Sequence, residues 1–170
     1  MRMMAAMGRR NLHTRGEIRA LALRNAAELV EREGAAALSA REVARRIGYT
    51  VGTVYLVFTN LDDLIVQVNE QTVIELARSL EAVSQKSRAP DQRVRLLVAA
   101  YLGFALLHTH RWRLVFEHRL PAGQSAPPTY KGHTQSIFAL VSDNLRQCMP
   151  HDSHYMEIGR ASCREECRSR

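Results

Sequence analysis

Between Ser39 and Phe58 the residue types suit recognition of a polar partner rather than covalent chemistry. Ser39 and Thr50 each stand just before apolar residues at helical spacing. A hydroxyl there accepts a hydrogen bond from an orphan backbone N–H, and the helix N-terminus behind it can meet a phosphate. Glu42, three residues after Ser39, is placed to complete a capping box. Gly48 sits where a helix ends in the left-handed conformation. Gly52 then allows close approach to the backbone, and Thr53 can touch a base edge or a thymine methyl. Tyr55 carries a hydroxyl that can bond a phosphate.

The elements needed to hold these groups are two short helices joined by a turn at Gly48. Val43, Ala44 and Ile47 give the first an apolar face, and Val54 and Phe58 point inward from the second, which is expected to run to Phe58. Such a helix-turn-helix sets its second helix in the major groove of DNA. One signal opposes this: Val51 to Phe58 is rich in β-branched and aromatic residues, which favour a strand. The punctuation at both ends and the amphipathic helix before it favour the helix.

Residues 15–64 resemble the DNA-binding domain of the TetR family of bacterial repressors. The matching positions are Ile18, Ala22, Ala26, Gly34, Val43, Ala44, Gly48, the run Gly52-Thr53-Val54-Tyr55, Phe58, Asp63 and Leu64. The resemblance implies DNA contact by Ser39, Thr50, Gly52, Thr53 and Tyr55. One departure stands out: the family usually carries a phosphate-binding Lys three residues after the Phe, and this chain has Leu61.

Charge supports the same reading. Residues 1–60 hold ten arginines against five acidic residues, whereas residues 61–157 hold ten basic and ten acidic residues. A local positive field attracts phosphate with salt-dependent, sequence-independent affinity. The first fourteen residues read as a basic N-terminal arm of the kind that can enter a minor groove.

The 170-residue chain reads as all-α, with a DNA-binding domain over 15–60 and a helical regulatory domain over 61–156. Helices are expected over about Arg15–Glu33, Leu61–Ala82, Asp91–Leu107, Arg111–His118 and Tyr130 or Thr134 to Cys148. His108-Thr-His110 marks a joint, and Pro121 to Pro128 reads as a loop. No apolar run is long enough to cross a membrane and no secretory signal is evident, so a cytoplasmic location is expected. The last residues, Ile158 to Arg170, resemble the translation of a short-read sequencing adapter, so 157–170 is expected to be a non-native tail and the natural gene to continue past Met156. Cys163 and Cys167 then say nothing about metal or redox chemistry, and Cys148 is an ordinary intracellular thiol.

The segment His110 to Pro121 resembles the TetR subgroup named for a Trp-His-Gly pattern. That likeness implies a homodimer, a palindromic double-stranded operator and an unknown small-molecule effector. Tyr101, Phe104, Trp112 and Phe116 are the candidate pocket residues, combining apolar area with a few polar tips. Helix-spaced aromatics are also ordinary core. The expected function is a repressor released from its operator by ligand, with the helix after Asn60 carrying the signal as the sole long connection to the reading head. The alternative is a helix-turn-helix protein controlled by a protein partner or acting architecturally. Neither His108, His110 and His118 nor the pair His151 and His154 has zinc-site spacing, so no metal or cofactor is expected. No phosphate loop or nucleophile elbow suggests an enzyme.

Overall fold

The computed structural model describes residues 13–120 and 125–148, and all regular structure among them is helical. The expected N-terminal arm, apart from His13 and Thr14, lies outside these residues. So do the adapter-like tail, His151, His154 and part of the Pro121–Pro128 loop.

Helix α1 spans Arg15–Glu33. Thr14 starts it with a full capping box: its hydroxyl accepts the Glu17 N–H, and the Glu17 carboxylate accepts the Thr14 N–H at 2.6 Å. Gly34, at φ +82°, stops it, and one 3₁₀ turn over Ala35–Ala37 leads to Ser39. α2 covers Ala40–Ile47 and α3 covers Val51–Tyr55. α4 (Leu61–Ser84), α5 (Pro90–Leu107), α6 (Thr109–Glu117) and α7 (Pro128–Cys148) complete the order. α5 and α7 both start earlier than expected because a proline fits the first helical position, where no N–H bond is lost. α4 opens on Asn60. Asn60 Oδ1 accepts the Asp63 N–H, and Asp63 accepts the Thr59 N–H, each at 2.8 Å.

Two apolar clusters hold the chain together. The first gathers Ile18, Ala22, Leu29 and Val30 of α1 with Val43, Ile47, Val54 and Phe58, and reaches Leu64 and Val68 of α4. Leu114 of α6 is buried in this same cluster, so α6 plugs into the reading head. The second cluster joins Leu76 and Leu80 of α4 to Leu97 and Phe104 of α5, with Trp112, Ile137 and Leu140 packed on it. On α5, Tyr101 is 38% exposed and Leu107 74%. Leu145 of α7 is exposed as well. Helical spacing marks a stripe without saying how many neighbours will cover it.

Candidate nucleic-acid interface

The turn between α2 and α3 has the expected chemistry. Gly48 takes φ +73° and ψ +28°, the left-handed conformation that costs an L residue strain, and its N–H bonds back to α2. Thr50 caps α3 by accepting the Thr53 N–H at 3.2 Å, and the two threonine hydroxyls lie 3.0 Å apart. α3 is shorter than expected and ends at Tyr55. The Leu56 N–H bonds both Gly52 and Thr53 carbonyls, and the Phe58 N–H still reaches the Val54 carbonyl at 3.0 Å. This tightened turn keeps Val54 and Phe58 one helical step apart, and both are buried. Packing of these two overrides the strand propensity of the segment.

With Val54 and Phe58 inward, the other side of α3 faces out. Gly52 is exposed, and a Cβ built there would meet only the Thr50 hydroxyl, at 3.7 Å. The chain itself does not require a glycine at this point, while a closely approaching partner would. Thr53 is half-buried and Tyr55 is 46% exposed. Ser39, Thr50, Gly52, Thr53 and Tyr55 thus fall within the two capped N-termini and the α3 segment, with Ser39 and Thr50 bonded in caps. Leu61, where a phosphate-binding Lys was expected by resemblance, is partly buried against the first cluster.

Glu42 departs from expectation. The Ser39 hydroxyl accepts its N–H, but its carboxylate leaves the cap half-made and bonds Arg45 and Arg46. Those two bonds, Arg45 first, pull the Glu42 carboxyl down to about 2. Two guanidinium groups outcompete one backbone N–H because charge-assisted pairs are the stronger. Arg46 also pairs with Glu33, tying α2 to α1. A contact absent from the sequence reading is His13 Nδ1 to the Tyr49 hydroxyl, at 2.8 Å, which fixes the chain before α1 to the turn. The tyrosine just after Gly48 was its only signal.

The four candidate pocket aromatics do meet, around Trp112. Tyr101 and Phe116 contact it edge-on, with ring centroids 5.3 and 4.9 Å away, and Phe104 stands at 6.1 Å. Phe104 is buried, whereas Phe116 is 65% exposed, so the group is a stack open on one side. Two depressions lie elsewhere. One, of about 430 Å³, is lined by Ser84, Ser87, Arg88, Arg93, Asn144 and Gln147. The other, of about 310 Å³, lies between α1 and the α5–α6 joint and is lined by Ala27, Glu28, Glu31, Arg32, His108 and Arg111.

At that joint the helices exchange polar contacts that no helical periodicity announces. Arg111 is buried and donates to Thr72 at 3.2 Å and to Glu75 at 2.8 Å. The buried Asn69 amide donates to the Leu114 carbonyl at 3.3 Å. His108 Nδ1 stands 3.3 Å from Glu31 Oε1, and His110 Nδ1 stands 3.1 Å from the Glu31 carbonyl. α4 is therefore not the sole route to the reading head, as the sequence had suggested; α6 touches it directly. His108 and His110 serve this junction, and no cluster of three or more potential metal ligands occurs among the described residues.

Residues 22–68 match the family profile of bacterial regulatory proteins of the tetR family, which places a TetR-type helix-turn-helix domain at the N-terminal end of the described, all-helical residues. No curated protein matches the chain. Among solved structures it is similar to a protein of unknown function from Rhodococcus sp. RHA1, at 21% identity and a TM-score of 0.69 over 82% of this chain and 70% of that one. It is similar to a protein described as regulatory, SCO4313, at 26% identity and a TM-score of 0.61 over 80% and 64%. A TetR-family transcriptional regulator from Bordetella parapertussis 12822 matches at 19% identity and a TM-score of 0.58 over 83% and 75%.

Proposed function

We propose that this chain, with its TetR-type reading head, is a DNA-binding transcriptional regulator that represses its target and is released from its operator by a small molecule. The observation that carries the DNA-binding part is the orientation of α3. Val54 and Phe58 anchor it in the core while Gly52, Thr53 and Tyr55 face outward beside two capped helix N-termini. Ser39 and Thr50 bring phosphate to those N-termini, Tyr55 adds a phosphate hydrogen bond, Gly52 allows the close approach, and Thr53 meets a base edge or a thymine methyl. Two copies related by a two-fold axis would set their α3 helices into successive major grooves, about 34–36 Å apart, on a palindromic site. No described helix is long and apolar enough to cross a membrane, in keeping with action in the cytoplasm.

Release requires a ligand that binds one arrangement of the pair better than the other. Tyr101, Phe104, Trp112 and Phe116 are the proposed contacts. Their shift would reach the head through α4 and through α6, whose Leu114 lies in the head's own core. The open side of the stack equally suits a protein partner, so control by such a partner without a small molecule is the second reading.

The two are separated by fluorescence of Trp112, the single tryptophan. Titration with a panel of apolar small molecules is expected to change its emission and to free bound duplex DNA in parallel. Release of DNA by none of them, with release by a protein fraction instead, would favour the second reading.

A further inference from the structure

We infer that His108 is a positioning residue that passes the state of the aromatic stack to α1 of the reading head, through Glu31. The inference rests on the DNA-binding reading above and names the route by which stack and head communicate.

His108 occupies the joint itself: it ends α5 and starts α6, at φ −113° and ψ +41°. Its N–H bonds the Phe104 carbonyl at 2.9 Å, and its carbonyl accepts the Trp112 N–H at 2.8 Å. Its backbone is thereby bonded to two of the four aromatics. Its ring lies against Phe104, centroids 4.7 Å apart and planes tilted by 49°. On the far side, Nδ1 faces the Glu31 carboxylate of α1 at 3.3 Å. A carboxylate only accepts, so Nδ1 carries the proton and donates. The same holds for His110, whose Nδ1 must donate to the Glu31 carbonyl. Glu31 is thus held by side chain and by main chain from the short stretch His108–His110.

The other Glu31 oxygen, Oε2, is buried without a hydrogen-bond partner, 4.0 Å from Arg111 Nε. Arg111 gives its bonds to Thr72 and Glu75 of α4 instead. Arg111 Nε has one hydrogen, now given to Thr72, so Glu31 can turn from His108 toward Arg111 only when Arg111 releases that bond. A two-state element of this kind is what a coupling route requires. Moving Phe104 or Trp112 moves His108, and Glu31 then exchanges one partner for the other, which shifts α1 against α6. The 310 Å³ depression beside His108 leaves room for that exchange.

The test uses the emission of Trp112 as the readout, with duplex DNA recovered by the wild-type chain from a randomised pool as the probe. Addition of the duplex is expected to change wild-type emission, since seating the head moves α1. Glu31→Ala and His108→Ala are each expected to retain the duplex while losing most of that change. Glu31→Ala keeps the His110 bond to the main chain and suits helix, so it folds even if His108→Ala does not. A merely structural role would lower the unfolding temperature and leave the emission response in place. A wild-type response that persists in both variants, or no wild-type response despite binding, overturns the relay. Failure of the wild type to recover any duplex would instead contradict the DNA-binding reading, and the relay with it.

Discussion

Ser39 accepts the Glu42 N–H at 3.2 Å, yet the Glu42 carboxylate turns away from Ser39 to grip Arg45 and Arg46. The first residue of the turn motif and its third helical neighbour therefore do different jobs. Ser39 satisfies one of α2's orphan donors, the Glu42 N–H. Glu42 holds two arginines on the same helix, one of which reaches across to Glu33 on α1. Two guanidinium groups beside the reading head are thereby committed internally rather than offered to phosphate.

That arrangement makes the head acid-sensitive in a defined window. The Glu42 carboxyl is depressed from 4.5 to about 2, chiefly by its Arg45 bond. A depressed acid stabilises the fold fully above its unfolded value and loses that contribution as pH falls through the folded one. The wild-type melting temperature should therefore drop between about pH 4.5 and 2 more steeply than that of Glu42→Gln, the two converging at the acid end. Parallel melting curves across that range would show that the pair contributes nothing. The site is exposed, so the effect should shrink with added salt.

Gly48 is a backbone requirement rather than a packing one. Its φ is +73° and a Cβ there would meet nothing within 4 Å. Gly48→Ala should cost about 1–2 kcal/mol, the left-handed penalty alone, and Gly48→Asn less. Equal denaturation midpoints for Ala and Gly would mean the turn relaxes to another conformation.

Reading the chain in order recovers what is local. Caps at Ser39 and Thr50, the left-handed Gly48 and the inward pair Val54 and Phe58 are all set by neighbours within a few residues, and each was visible there. The Asn60 cap was masked by Asp62 and Asp63, which also favour a helix start. What stayed hidden depends on distant partners: the bond of His13 to Tyr49, Arg111 buried between α4 and α6, and Leu114 inside the head. The exposure of Tyr101, Phe116 and Leu145 also stayed hidden, because an apolar stripe gives no count of the helices that will cover it.

Tyr55 separates positioning from reading. Its hydroxyl is proposed to bond phosphate, which carries no sequence information. Tyr55→Phe should weaken binding by about 1.5–3 kcal/mol, roughly tenfold to a hundredfold, on specific and unrelated duplexes alike. Thr53→Ala should instead weaken chiefly the selected duplex. A gel-shift titration at one fixed salt concentration compares them, and unchanged affinity in Tyr55→Phe rejects the assignment.

In the proposed function, α3 reads duplex DNA. The most direct measurement is a salt series of gel-shift titrations, using a duplex selected by the wild-type chain and an unrelated competitor. Logarithmic affinity for both should fall linearly with the logarithm of salt concentration, with the selected duplex held more tightly throughout. Replacing Gly52 by Val, which crowds the approach to the backbone, should abolish that preference while leaving the fold intact. Binding of no duplex even at low salt, or a preference untouched by Gly52→Val, would rule out DNA reading by α3.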